Sequence, residues 1–248
     1  MEPETSSPTT PRPPREIPPA LRHQGPGRQY VRDVVLAVND GLVSIFLLVA
    51  GVVGGGFDAN DVFLAGLAGA VAGAISMASG EYLATKSQEE VLTGEAELEK
   101  VHLRQFRDYE MRELAEMLRD MGLEDPQVER VAGAFASNDD ALLRLKMAIE
   151  FGVVERARRS PVTAMIVSGL VFVVGSVPAV LPFAVMSEPG PALLAAAVAT
   201  SVALFAVGAA KTRATRGSPL RSGLENLAIA LIGAAVSFGV GRAYDQLS

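Results

Sequence analysis

The sequence predicts an all-α integral membrane protein with five transmembrane helices and a cytoplasmic helical insert between the second and third. Three observations carry that reading. Hydrophobic residues make up 49% of the 248 positions and are bunched into long blocks rather than spread in amphipathic periods. Residues 85–160 hold 17 of the 28 acids, against 12 Lys or Arg, so the net charge of -6 hides a polar middle between apolar flanks. The Lys and Arg residues outside that middle gather on alternate links between the apolar blocks.

The chain divides at changes of composition into residues 1–27, 28–85, 86–160 and 161–248. Residues 1–27, rich in Pro, Ser and Thr, are expected to form a disordered tail. They cannot bury a core, and they lack the apolar run of a signal peptide. Residues 28–85 hold the first two spans, about 30–53 and 62–84. Each is long enough to cross a ~30 Å hydrocarbon core at about 1.5 Å per residue. In lipid the backbone must pair within its own segment, so both are helices. Gly66, Gly69, Ala72, Gly73, Ser76 and Gly80 put small residues at three- and four-residue spacing, which admits a second helix at close range.

Residues 86–160 are expected to fold as a small acidic subdomain. Met111, Leu114, Ala115, Leu118 and Met121 form one helical stripe, closed by Gly122. Pro126 opens the next helix, and Asn138 or Asp139 caps the last. Residues 161–248 hold three more spans, about 162–185, 192–210 and 224–240. Pro178 and Pro182 lie in the first of these and predict a kink or an exit.

Five spans put the termini on opposite sides. Arg12, Arg15, Arg22, Arg28 and Arg32 precede the first span, and Lys211, Arg213, Arg216 and Arg221 fill the link before the last. The positive-inside rule then places the N-terminus and the acidic insert in the cytoplasm and the C-terminus outside. The Ala-, Gly- and Arg-rich composition suggests a bacterial source and hence the cell membrane.

Several function classes drop out. The charge balance argues against a nucleic-acid partner. With no cysteine, there is no disulfide, zinc-thiolate or iron–sulfur chemistry. No nucleophile-with-base pattern suggests an enzyme. Both histidines, His23 and His102, lie outside the spans, and Ser76 and Ser79 read as packing residues.

What remains is cation chemistry. Asp33 and Asp40 are seven residues apart, nearly two turns, and so share one helix face. An acid inside a span is costly and is a functional-site hypothesis by default. Two readings stand for Asp33, a path carboxylate or a solvated pair with Arg32. For Asp40 they are a path carboxylate or a helix break at Asn39-Asp40-Gly41. Met77 offers a thioether that suits iron or copper, or simply packs. Glu81, one turn on, is an entrance ligand or an interfacial charge. In the insert, Glu95, Glu99 and His102 fall on one helix face, Glu110, Glu113 and Glu116 follow at three-residue steps, and Met147 and Glu150 are again three apart. Such faces form carboxylate metal sites or solvated acidic surfaces, since Lys100, Arg104, Arg107 and Arg112 are interleaved.

The stretch Arg32-Asp33 … Asn39-Asp40-Gly41-Leu42-Val43, then Gly73-Ala74-Ile75-Ser76-Met77 … Gly80-Glu81-Tyr82-Leu83 … Lys86-Ser87, resembles the vacuolar iron transporter (VIT) family over roughly residues 30–245. The first two spans carry the motif, and the last three match in layout. The resemblance implies proton-coupled export of Fe²⁺, and in some relatives Mn²⁺ or other divalent ions, from the cytoplasm. It also implies a homodimer with its path at the subunit interface, and no prosthetic group. It matches Asp33, Asp40 and Met77 to path residues. It matches Glu99, Glu110, Glu113, Glu150 and Met147 to a metal-binding insert in which His102 replaces a Glu. Plant-type members carry a further Glu where this chain has Gly69, so one path carboxylate is missing here. A membrane-anchored metal sensor or storage module is the alternative to transport.

Overall fold

The computed structural model describes residues 28–152, 159–215 and 218–247; the side chains of 28–31, 211–215 and 219 lie outside the description. The tail expected over residues 1–27 therefore falls outside the described residues, as do most of the basic side chains used for orientation. The described chain is all helical: α1 (Arg28–Gly54), α2 (Ala59–Gln105), α3 (Arg107–Asp120), α4 (Asp125–Phe135), α5 (Asp139–Glu150), α6 (Pro161–Val185), α7 (Pro189–Thr215) and α8 (Pro219–Leu247).

Among the described residues five helices are long and apolar enough to cross a membrane: Arg32–Gly54, Ala59–Gln105, Pro161–Val185, Pro189–Ala210 and Leu220–Leu247. The α1–α2 link turns on Gly56 at φ +81. The Asp58 carboxylate then caps α2, accepting from the N–H groups of Asn60 and Asp61 at 2.9 and 3.0 Å. Ser160 Oγ accepts from the Thr163 N–H, and Pro161 follows at the start of α6. The helix runs through both internal prolines and stops three residues after Pro182, so these residues mark an exit.

α6 is the centre of the bundle. Phe172, Ala179, Val180 and Phe183 pack with Ile45, Phe46 and Val49 of α1, Val62 and Ala70 of α2, and Ala192 and Ala196 of α7. Small residues permit these approaches. A Cβ on Gly175 would lie 2.6 Å from the Val38 carbonyl oxygen, and one on Gly41 would collide with the Phe172 carbonyl. The α2 stripe divides its work. Gly66 receives Val49 and Val180, and Gly73 receives the Phe172 ring. Ala72, Ser76 and Gly80 remain exposed.

α2 overrides the expected boundary near residue 85. Its 47 residues form one helix of about 70 Å, so the second span enters the insert without a joint. α3, α4 and α5 fold back on this extension around Leu103, Leu114, Leu118, Val128, Ala132 and Leu142. Gly122 at φ +94 follows α3, and Asn138 Oδ1 caps α5 by accepting from the Ala141 N–H at 3.0 Å.

If the α1–α6 crossing needs bare backbone, Gly175→Ala lowers stability by about 1–3 kcal/mol through overpacking. Gly190→Ala, with nothing within 4 Å of the added Cβ, leaves the melting temperature unchanged. Thermal unfolding of the two variants in detergent measures the difference.

Candidate functional site

The structure gathers the sequence's candidate residues into three places. The first is a cleft of ≈ 530 Å³ between α1 and α2, whose lining includes Asp40, Ser44, Gly69, Ser76, Met77 and Glu81. α1 is unbroken through Asn39, Asp40 and Gly41, which removes the helix-break reading of Asp40. The Asp40 carboxylate accepts a 2.6 Å hydrogen bond from Ser44 Oγ, and among the described residues it forms no ion pair. Among those residues, too, no Lys or Arg lines the cleft. Met77 of α2 lines the same cleft as Asp40 of α1, so an oxygen-donor and a thioether side chain border one space.

The second place is an ionic latch where α1, α2 and α6 meet. Asp33 is fully buried, and Glu81 nearly so. The Arg159 guanidinium donates to Glu81 Oε1 at 2.8 Å and makes a short contact with Asp33 Oδ2. Arg32, at 3.6 Å from Asp33 Oδ1, is largely exposed. This corrects the solvated-pair reading of Asp33. The partner that decides its environment is Arg159, 126 positions away in the chain, which sequence reasoning did not single out.

The third place lies in the insert. α2 supplies Glu99 and His102, α3 supplies Glu110 and Glu113, and α5 supplies Lys146. Lys146 Nζ is fully buried. It lies 2.6 Å from Glu99 Oε1 and 2.9 Å from Glu113 Oε2, and it makes a short contact with Glu110 Oε2. The approach to Glu99 Oε1 lacks hydrogen-bond alignment, so it is an ionic contact. His102 Nδ1 stands 3.4 Å from Glu110 Oε1 and 3.8 Å from Glu99 Oε2. One ligand atom from each of Glu99, His102 and Glu110 falls within 4.8 Å of the others, a spacing that a divalent ion could bridge.

Met147 is buried beside this group and Glu150 is on its exposed rim. Partial burial raises the Glu150 pKa. Lys146 opposes the shift, while Glu99, Glu113 and Glu95 add to it. The solvated-surface reading therefore fails for Glu99 and Glu110, which are buried, and holds for Glu116, which is exposed. The α5 side chain that enters the carboxylates is Lys146, one turn before Glu150. The available signal was a lysine one turn before Glu150 on α5, a helix whose other cation is the exposed Arg144.

This arrangement of spans, cleft and insert can be set beside known proteins. The VIT family profile matches residues 31–242. The chain belongs to the VIT family. It is 33% identical to vacuolar iron transporter 1 of Arabidopsis thaliana over 210 residues, covering 85% of this chain and 84% of that protein. It is 31% identical to vacuolar iron transporter 1 of Eucalyptus grandis, covering 88% of each. A VIT-like transporter 1a of Glycine max is 48% identical over 67 residues, 27% of this chain and 32% of that protein. In this VIT-family chain, Asp40, Met77 and Glu81 share the cleft, while Asp33 is held in the latch outside its lining.

Removing a buried cation strands its carboxylates. Arg159→Gln therefore costs about 3–5 kcal/mol in unfolding free energy, whereas Arg32→Gln, at an exposed pair, costs under about 1 kcal/mol. Denaturant unfolding in detergent compares them. The raised Glu150 pKa means that the folded state binds its proton more tightly than the unfolded state. Stability is then favoured below the ordinary value of 4.5 and lost as pH rises through the folded pKa. In chelated buffer, Glu150→Gln leaves the melting temperature unchanged at pH 4 and raises it at pH 7.

Proposed function

We propose that the chain is a divalent metal/proton antiporter that moves Fe²⁺, and related ions such as Mn²⁺, out of the cytoplasm. The observation that carries this reading is the α1–α2 cleft. It holds an acid inside a membrane span, braced by a serine and faced by a thioether, with no Lys or Arg among its described lining residues. A carboxylate in that position is costly unless a cation or a proton visits it. The mixed donor set suits Fe²⁺ better than Mg²⁺ or Ca²⁺. The names of the plant relatives as vacuolar iron transporters support the same metal.

The cleft opens on one side of the protomer. Leu36, Leu48, Ser76 and Gly80 beside it are exposed or nearly bare of neighbours. A second copy placed against this face would enclose Asp40 and Met77 in a path at the dimer axis. In this reading the insert faces the cytoplasm and gathers metal at Glu99, His102 and Glu110, with Glu113, Met147 and Glu150 beside them. Asp33 and Glu81 form the cytoplasmic entrance. The N-terminus lies in the cytoplasm and the C-terminus outside. Protons return through the same acids, without the carboxylate that plant-type members carry at the Gly69 position.

The insert has its own core and its own ionic cluster, which favours a sensor or storage module as the second reading. Liposomes holding the purified chain, a pH dye and external Fe²⁺ separate the two. Antiport gives metal entry with proton exit, and Asp40→Ala reduces both to background while the protein stays folded and dimeric. Metal binding without entry supports the sensor. Normal transport by Asp40→Ala rules out the proposed path.

A further inference from the structure

The insert's carboxylates are arranged around an ammonium that is part of the chain. Glu99 and Glu110 each use both oxygens in opposite directions. Glu99 Oε1 and Glu110 Oε2 face Lys146 Nζ, whereas Glu99 Oε2 and Glu110 Oε1 face His102 Nδ1. Glu113 closes the Lys146 side. The group thus has an inner pocket already filled by Nζ and an outer corner made of two carboxylate oxygens and one imidazole nitrogen. Three formal negative charges meet one positive charge, so the outer corner still attracts a cation.

We propose that Lys146 is the resident cation of this site and determines which ions the insert accepts. Its ammonium holds Glu99, Glu110 and Glu113 together without metal. It excludes a divalent ion from the inner pocket and confines an incoming one to the Glu99–His102–Glu110 corner. There the ion meets only three protein ligands, one of them imidazole. That donor set favours later transition metals such as Co²⁺, Ni²⁺ or Zn²⁺ over Mg²⁺ and Ca²⁺. Like-charge repulsion from Nζ weakens every divalent ion bound there. The inference rests on reading the insert as a metal-receiving module and is independent of whether any ion crosses the membrane.

Trp is absent from the sequence, so one introduced indole reports on the insert alone. Phe106 is exposed, and its ring lies edge-on to His102 with centroids 6.3 Å apart. The full-length Phe106→Trp protein in detergent is titrated with Co²⁺, which quenches nearby indole emission. Adding Lys146→Met lowers the Co²⁺ concentration for half-quenching by about tenfold or more, because a charge near the metal is removed and the inner pocket opens. Lys146→Arg keeps the charge and titrates like the parent. Adding Glu110→Gln to the Lys146→Met protein reverses the gain. A purely structural lysine would change the melting temperature in these variants and leave the titration midpoint in place.

The Phe106→Trp parent supplies a second measurement that does not depend on Lys146→Met folding. Its melt, followed by indole emission, is unchanged by EDTA, since the ammonium rather than a metal holds the cluster. Equal half-quenching in parent and Lys146→Met proteins overturns the proposal. So does an EDTA-induced fall of more than about 5 °C in the parent melt. Failure of the transport reading would appear instead in the liposome comparison with Asp40→Ala and would leave this titration unaffected.

Discussion

A buried carboxylate must be matched by a positive charge, and this requirement shapes both halves of the molecule. Taking a charge out of water costs several kcal/mol, and one lost partner strands the other. In the bundle, Asp33 and Glu81 are matched by Arg159, which joins α1, α2 and the start of α6. In the insert, Glu99, Glu110 and Glu113 are matched by Lys146, which joins α2, α3 and α5. In both places the cation comes from later in the chain, Lys146 on α5 and Arg159 just before α6, and reaches back to carboxylates on earlier helices. The insert's return to the bundle is thus fixed by charge as well as by its apolar core.

Asp40 is the exception, and the exception points to function. It lies on the side of the latch away from the insert, on the helix that carries Asp33, yet its described partner is a serine hydroxyl. The chain supplies internal cations to Asp33, Glu81 and the insert's carboxylates, and among the described residues it supplies none to Asp40, the acid of the proposed path. Small residues on both sides of α1 make this possible. Gly41 and Gly175 seat α1 against α6, while Gly69 and Gly73 on the α2 side of the cleft receive Leu48 and the Phe172 ring.

The continuity of α2 connects the two regions mechanically. Glu81 in the latch and Glu99 in the insert cluster lie on one helix, 18 residues or about 27 Å apart along its axis. A rotation or tilt of α2 at one cluster must move the other, because no turn separates them. Displacing the insert therefore acts on the Asp33–Arg159–Glu81 latch through a rigid rod rather than through a flexible linker.

The sequence alone determined the number of spans, the place of the polar insert, the Gly122 stop, a cap at Asn138 or Asp139, and the candidate carboxylates. All of these follow from local hydropathy, helical period and turn chemistry, which act over a few residues. It also placed Glu99 and His102 on one helix face, because their spacing is set by the turn. The partners of the buried acids were decided only by tertiary structure. Arg159 is 126 positions from Asp33 and Lys146 is 36 from Glu110, and no periodicity connects charges across helices. The missing joint near residue 85 has a similar origin. The composition changes there from apolar to acidic, yet Thr85, Lys86 and Glu89 are all compatible with helix, and nothing in the backbone calls for a break. Hydropathy marks where the membrane environment ends, whereas the hydrogen-bonded helix continues until packing of α3 turns the chain at Phe106.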